Sequence, residues 1–217
     1  MASLLGWLFI LLIVALVIAI VLTVLEKITK FTIPVLIIAL LVVGAFYFIY
    51  DTADLQQKFE TGNKLFLLEL DDSVAGAFSI KGNQEPVIID DLSSYTLKPE
   101  QLDLLLDSHY KIIIVHWSAF DDINSITVGD IAVLKQDAKG IFKSISPKSL
   151  LTPQLAALFP TEDSARSSLF NLMFGAAYQK TGLIEMYRAG DVDIYPETMG
   201  LKVIKLIPEF VLKKLVK

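Results

Sequence analysis

The side chains of this chain best suited to chemistry are its two imidazoles, His109 and His116, and a recurring set of paired carboxylates. Three aspartate doublets, Asp71-Asp72, Asp90-Asp91 and Asp121-Asp122, each follow an apolar run, and Asp191-x-Asp193 adds a further pair. Carboxylates gathered at strand ends are the hard oxygen ligands that Ca²⁺ or Mg²⁺ takes. An imidazole converging with a carboxylate or a serine could act as a general acid–base group or a metal ligand.

Their spacing argues for a plainer role. Asp is a standard turn residue, an antiparallel meander would scatter the doublets to opposite ends, and no twelve-residue EF-hand loop occurs. His109 and His116 lie seven apart across an expected helix-to-strand junction, which gives no reason for them to meet. His116, next to Val115 in an expected strand, reads as a core or edge histidine. The serines form no Gly-x-Ser-x-Gly elbow, no Ser-x-x-Lys signature is read among them, and no glycine-rich phosphate loop is present. No catalytic, cofactor-binding or metal-ligating residue is therefore assigned from sequence, and no cofactor is expected.

Composition narrows the classes further. The chain has 217 residues and no cysteine, which excludes disulfides, zinc–thiolate sites, iron–sulfur clusters and a cysteine nucleophile. Its net charge is −5. The first fifty residues hold Lys27, Lys30 and Glu26 and contribute +1, so residues 51–217 carry −6. An acidic domain is a poor nucleic-acid binder, and no nucleic acid is expected as a partner.

The elements that must position these residues can be read in order. Residues 51–63 read as a polar linker or as a continuation of the second helix, with Leu55 and Phe59 four apart. Leu65 to Leu70 and Val74 to Ile80 read as strands around Asp71-Asp72-Ser73, and Pro86 to Asp90 as a third, giving an antiparallel meander. Pro99-Glu100 opens a helix carrying Leu102, Leu105 and Leu106. The run Ile112-Ile113-Ile114-Val115 predicts a central strand buried on both faces. Ile126 to Leu134 reads as strand around Gly129-Asp130, and Ile141 to Ile145 as its partner. Thr152-Pro153 caps a short helix. Glu162 to Lys180, with an acidic first turn and Gly182 beyond its end, predicts the longest helix and the spine of the core. Leu183 to Tyr187 and Val192 to Tyr195 read as a hairpin around Arg188-Ala189-Gly190-Asp191. From Pro208 onward the segment 201–217 has Val211, Leu212, Leu215 and Val216 opposite Lys213, Lys214 and Lys217, a basic amphipathic tail.

The first fifty residues predict a membrane anchor. Leu4 to Leu25 is free of charge over twenty-two residues, about 33 Å as a helix against a hydrocarbon core of about 30 Å. Ile33 to Tyr50 supplies a second run of about 27 Å, opened by Pro34. Spans 4–25 and 33–50 would form a two-helix transmembrane hairpin. Ala15, Ala19 and Ala39 would allow close helix approach, and Trp7, Tyr47 and Tyr50 would sit at one interface. Lys27 and Lys30 in the connecting turn place that turn in the cytoplasm, and both termini and the domain outside.

Val128-Gly129-Asp130-Ile131-Ala132-Val133 is similar to a strand of membrane-anchored signal peptidases. That family carries a Ser-Met-x-Pro nucleophile box upstream, which Ser125-Ile126-Thr127 does not match, so no family is assigned. The whole sequence thus predicts a membrane protein with a two-helix hairpin followed by one α+β domain, 64–217, built on a mostly antiparallel sheet. The expected function is a non-catalytic binding or assembly subunit. It would present an extracytoplasmic domain to a partner protein or envelope component, with the lipid bilayer and a protein partner, or a second copy through the hairpin, as its contacts. The alternative is a membrane-bound hydrolase or metal-dependent enzyme using an Asp cluster and a His.

Overall fold

The computed structural model describes residues 61–206, together with Ile33, Leu36, Ile37, Ile38 and Lys58. The chain divides into two compact units, Met1–Tyr50 and Asp51–Lys217. In the second, a five-stranded sheet has the order β3-β2-β1-β4-β7. Its strands are β1 (Asn63–Leu70), β2 (Ser73–Lys81), β3 (Val87–Ile88), β4 (Lys111–His116) and β7 (Val192–Tyr195). β1–β2, β2–β3 and β4–β7 are antiparallel, while β1 and β4 are parallel. The domain is α+β with a mostly antiparallel sheet. The parallel pair is a departure from a plain meander, made because the helix α1 (Pro99–Leu105) carries the chain back to the starting end before β4.

Period-two alternation explains how the sheet sits. Phe66, Leu68 and Leu70 share one face with Phe78, Ile113, Val115, Val192 and Ile194, all buried in one core with residues of the long helix α4 (Glu162–Thr181). Leu65, Leu67, Ala77 and Ile112 point to the opposite face, where Leu102 of α1 and Leu92 cover them. Between Lys111 and His116, the run Ile112 to Val115 of β4 is apolar, in keeping with burial on both faces. Phe66 and Phe78 stack with centroids 4.7 Å apart, and Phe170 and Phe174 of α4 tilt against them at 5.0 and 4.9 Å. α4 comes so close at Gly76 that an added Cβ would lie 3.1 Å from the Phe170 Cβ and 3.3 Å from the Arg166 carbonyl oxygen. One residue on, the buried Ser167 hydroxyl accepts the Ala77 N–H at 3.1 Å.

α4 matches its sequence signals. Thr161 accepts from the Ser164 N–H while the Ser164 hydroxyl accepts from the Thr161 N–H, a reciprocal cap that serves two of the helix's orphan donors. The β5 (Ser125–Val128) and β6 (Ile131–Leu134) hairpin turns through Gly129 at a positive φ of 60°.

Two elements differ from expectation. Ile141 to Ile145 does not pair with that hairpin; residues Lys135–Lys143 form the helix α2, which buries Ala138, Ile141 and Phe142 at helical spacing. Leu183 to Tyr187 belongs to the helix α5 (Leu183–Ala189), with Gly190 left-handed at its end and the Asp191 N–H donating to the Met186 carbonyl at 2.9 Å. Glycine stops helices as readily as it turns hairpins, and the burial of Met186 and Tyr187 decides between them. The short helices α3 (Pro153–Ala156) and α6 (Met199–Leu206) complete the domain.

The membrane reading is corrected. Among the described residues no helix is long and apolar enough to cross a membrane. The longest, α4, carries Glu162, Asp163, Arg166 and Lys180 and is packed on the sheet. The expected spans 4–25 and 33–50 lie outside the described residues apart from Ile33, Leu36, Ile37 and Ile38, which are helical and exposed. The fold described is accordingly an α+β domain with a mostly antiparallel sheet, and it does not support the two-pass anchor or the extracytoplasmic placement. Their basis was the length, hydropathy and freedom from charge of the two runs, with Trp7, Tyr47 and Tyr50 as interface rings and Lys27 and Lys30 setting the orientation. The linker 51–63 and the tail from 207 onward also fall largely or wholly outside the described residues.

Candidate functional site

Chemistry-bearing side chains meet at one place, the end of the sheet where β1 and β4 finish. The parallel register sets Glu69 beside His116, and the antiparallel register sets Asp193 beside Ile114, so alternation leaves all three on the face that α1 covers in part. His116 Nδ1 lies 2.7 Å from Glu69 Oε2, and its Nε2 lies 3.0 Å from Asp193 Oδ2. The imidazole is 29% exposed. Immediately after β4, a 3-10 turn (Trp117–Phe120) brings Ser118 to donate to Asp191 Oδ1 at 2.6 Å, while the His116 N–H donates to the Asp191 carbonyl at 2.9 Å.

The Asp191-x-Asp193 pair singled out in the sequence therefore does join a histidine. Glu69 is the member that the sequence reading missed, because its partner stands far along the chain and only strand register unites them. What the row can do is limited by geometry. Both ring nitrogens face carboxylates, so neither is turned toward a substrate. Ser118 gives its proton to Asp191 instead of His116, so there is no serine–histidine relay. Among the described residues no group of three or more His, Asp or Glu side chains is arranged to hold a metal ion.

The remaining candidates are held apart. His109 closes the end of α1, its Nδ1 within 3.0 Å of the Leu105 carbonyl and 2.9 Å of the Ser108 hydroxyl. It precedes β4 while His116 ends it, which puts about 20 Å between them at the rise of a strand. Asp71 and Asp72 make the β1–β2 turn with φ of 51° and 59°, a left-handed pair that Asp tolerates better than most residues. Asp71 pairs with Lys143 at 2.6 Å, Asp121 with Lys135 at 2.8 Å and Asp122 with Lys180 at 3.7 Å. Asp91 accepts from the Ser93 N–H at 2.9 Å, and hydrogen bonds from Ser93 hold its carboxyl below the ordinary range. Each doublet serves a turn or a local ion pair, and they do not gather into one cluster.

The Ser-x-x-Lys spacing, read as absent, does occur once, and a second feature went unread. Ser108-His109-Tyr110-Lys111 has the Ser-x-x-Lys spacing of serine acyl-enzymes, a spacing that works when both residues share a helix face. Here it straddles the end of α1 and the start of β4: Ser108 bonds to Leu105 and His109, and the buried Lys111 donates to the Pro196 carbonyl. A clasp of Tyr187, Glu197 and Lys205 joins α6 to α5. The Tyr187 hydroxyl donates to Glu197 Oε1 at 2.6 Å, and the Lys205 ammonium lies 3.2 Å from the same oxygen and 4.3 Å above the tyrosine ring. Burial first, then the bond to Glu197, raises the phenol's pKa well above its ordinary range, and Tyr187's hydrogen bond lowers that of Glu197.

The last feature is apolar. In the stretch between α2 and α4, Ile145 is 93% exposed, with Leu150 at 57% and Leu158 at 62%. The backbone around Ile145 is nonetheless pinned. Arg166 donates to the Ser144 carbonyl, the Lys148 N–H to Glu162 at 2.7 Å, the Ser149 hydroxyl to the Ser146 carbonyl at 2.6 Å and Lys148 Nζ to the Phe159 carbonyl at 2.6 Å.

Comparison of the chain with protein-family models, with curated proteins and with solved structures finds no match in any of the three.

Proposed function

We propose that this chain is a non-catalytic binding or assembly module whose α+β domain receives a protein partner on the stretch 144–158. The observation that carries the reading is Ile145, displayed to solvent between Ser144 and Lys148, both of which are bonded back to α4. Burying a side chain of this size on a partner is worth roughly 1.5–3 kcal/mol. A loop already held in place gives up little conformational freedom on binding, so more of that gain survives as affinity. Leu150 and Leu158, on the same stretch, extend the apolar surface.

A photo-crosslinking amino acid at position 145, expressed in the protein's own cells, tests this. A single adduct of defined mass is expected, absent when the crosslinker sits at Leu104 on α1, which is also exposed, and lost from position 145 when Leu150 is changed to Ser. No adduct, or the same smear from both positions, rejects the reading.

The second reading, an enzyme that uses a histidine with carboxylates, draws support from the meeting of Glu69, His116 and Asp193. It requires one nitrogen of His116 to be released toward a substrate, and His116→Ala would then abolish turnover of any substrate found while leaving the crosslink at 145 intact.

A further inference from the structure

The geometry points to a pH-dependent staple across the open end of the sheet, in which His116 ties β1 to β7 through Glu69 and Asp193 only while its ring carries two protons. This stands independently of the partner reading, which concerns a different surface.

The argument is a count of donors. An ionised carboxylate only accepts hydrogen bonds, and a neutral imidazole offers one N–H and one lone pair. Nδ1 is 2.7 Å from Glu69 and Nε2 is 3.0 Å from Asp193, so a neutral ring would set a lone pair against a carboxylate oxygen at one of the two contacts. With the second proton both contacts are charge-assisted hydrogen bonds. Histidine is the side chain that ordinarily changes charge between about pH 5 and 8.

The charged groups around the ring reinforce this. β1 contributes Glu69 and β7 contributes Asp193. Asp191, just ahead of β7, is held by Ser118 of the 3-10 turn, and α1 brings Asp103 to the same face, where Tyr195 donates to it. The β1–β2 turn adds Asp71, already met by Lys143, and Asp72, while the β2 residue opposite Glu69 is the uncharged Val74. When the ring loses its proton, one carboxylate must swing away. Asp193, the more exposed of the two and on a four-residue edge strand, is the one freer to move. The start of β7 then keeps its bonds from the His116 N–H and from Ser118 to Asp191, but loses the side-chain bridge.

The test is amide hydrogen exchange on the full chain, read at the His116 N–H that donates to Asp191 and corrected for the intrinsic effect of pH. Between about pH 5 and pH 8 the protection of this amide is expected to fall about fivefold in the native protein, the scale of a partly exposed ion pair. His116→Gln should abolish the step. Asp193→Asn should abolish it too, because the carboxamide N–H can donate to the Nε2 lone pair of a singly protonated ring while Nδ1–H bonds Glu69, so the bridge survives loss of the second proton; its exposed position keeps the test usable should His116→Gln fail to fold. Ser118→Ala, which leaves the bridge alone, should retain the step. A native protein without the step, or the same step in native, His116→Gln and Asp193→Asn proteins, overturns the proposal.

Discussion

The two faces of the sheet are built differently, and the contrast shows where this domain spends its apolar residues. On one face, α4 lays Phe170 and Phe174 on Phe66 and Phe78, and the aromatic contact continues through Phe120 to Trp117. On the other, the seven-residue α1 contributes one fully buried side chain, Leu102, with Leu92 beside it. The thick face holds the fold. The thin face ends before the sheet does, and the uncovered end is where Glu69, His116 and Asp193 stand in a row.

Truncation on the thick face should therefore cost most. Phe170→Ala, in the centre of the aromatic cluster, is expected to lower the unfolding free energy by about 3–5 kcal/mol in urea titration. Leu102→Ala on the thin face should cost about 2–3 kcal/mol, since so small a layer can partly collapse into the cavity. Equal losses at the two positions would break the comparison. Gly76→Ala sharpens it by probing the spacing between α4 and the sheet: neither the Phe170 Cβ nor the Arg166 carbonyl is a flexible tip, so about 1–2 kcal/mol should be lost to overpacking. Thr161→Ala, which removes half of the cap that starts α4, is expected to cost about 1 kcal/mol.

The smallest effect is expected away from both faces, in the Tyr187–Glu197–Lys205 clasp. The folded state lowers the Glu197 carboxyl below its ordinary value of 4.5, so the contribution is fully present above that value. It is lost as pH falls further, through the folded-state titration. The stability difference between native protein and Glu197→Gln should therefore shrink on acidification below pH 4.5 and stay level above it. A difference that grew on acidification would contradict the assignment.

Local signals carried much of the fold. The acidic first turn and Gly182 bounded α4 to within a residue of its observed end, and the unbroken Ile112 to Val115 run declared a strand covered on both faces. Where a residue type has two local meanings, the sequence misled. Gly190 marked a helix end and not a hairpin, and Ile141 belonged to a helix whose apolar spacing was masked by its short length. The N-terminal apolar runs were assigned on length, hydropathy and freedom from charge, and they lie almost wholly outside the described residues, among which no helix is long and apolar enough to cross a membrane. The candidate site was half legible. Asp193 and His116 stood out by type, while Glu69 did not, and nothing local distinguished the pinned Ile145 from a buried strand residue.

What the sequence determined by itself was the identity of most strands and helices, the freedom from cysteine chemistry and the acidic balance of residues 51–217, because periodicity, caps and composition act within a few residues or need no structure at all. What only the tertiary structure decided was which distant residues share a face. β1 runs parallel to β4 and β7 antiparallel to it, and that choice puts one histidine between two carboxylates drawn from strands far apart in the chain. Strand register is set by how whole faces bury together, so no local pattern around Glu69, His116 or Asp193 could have announced that they meet.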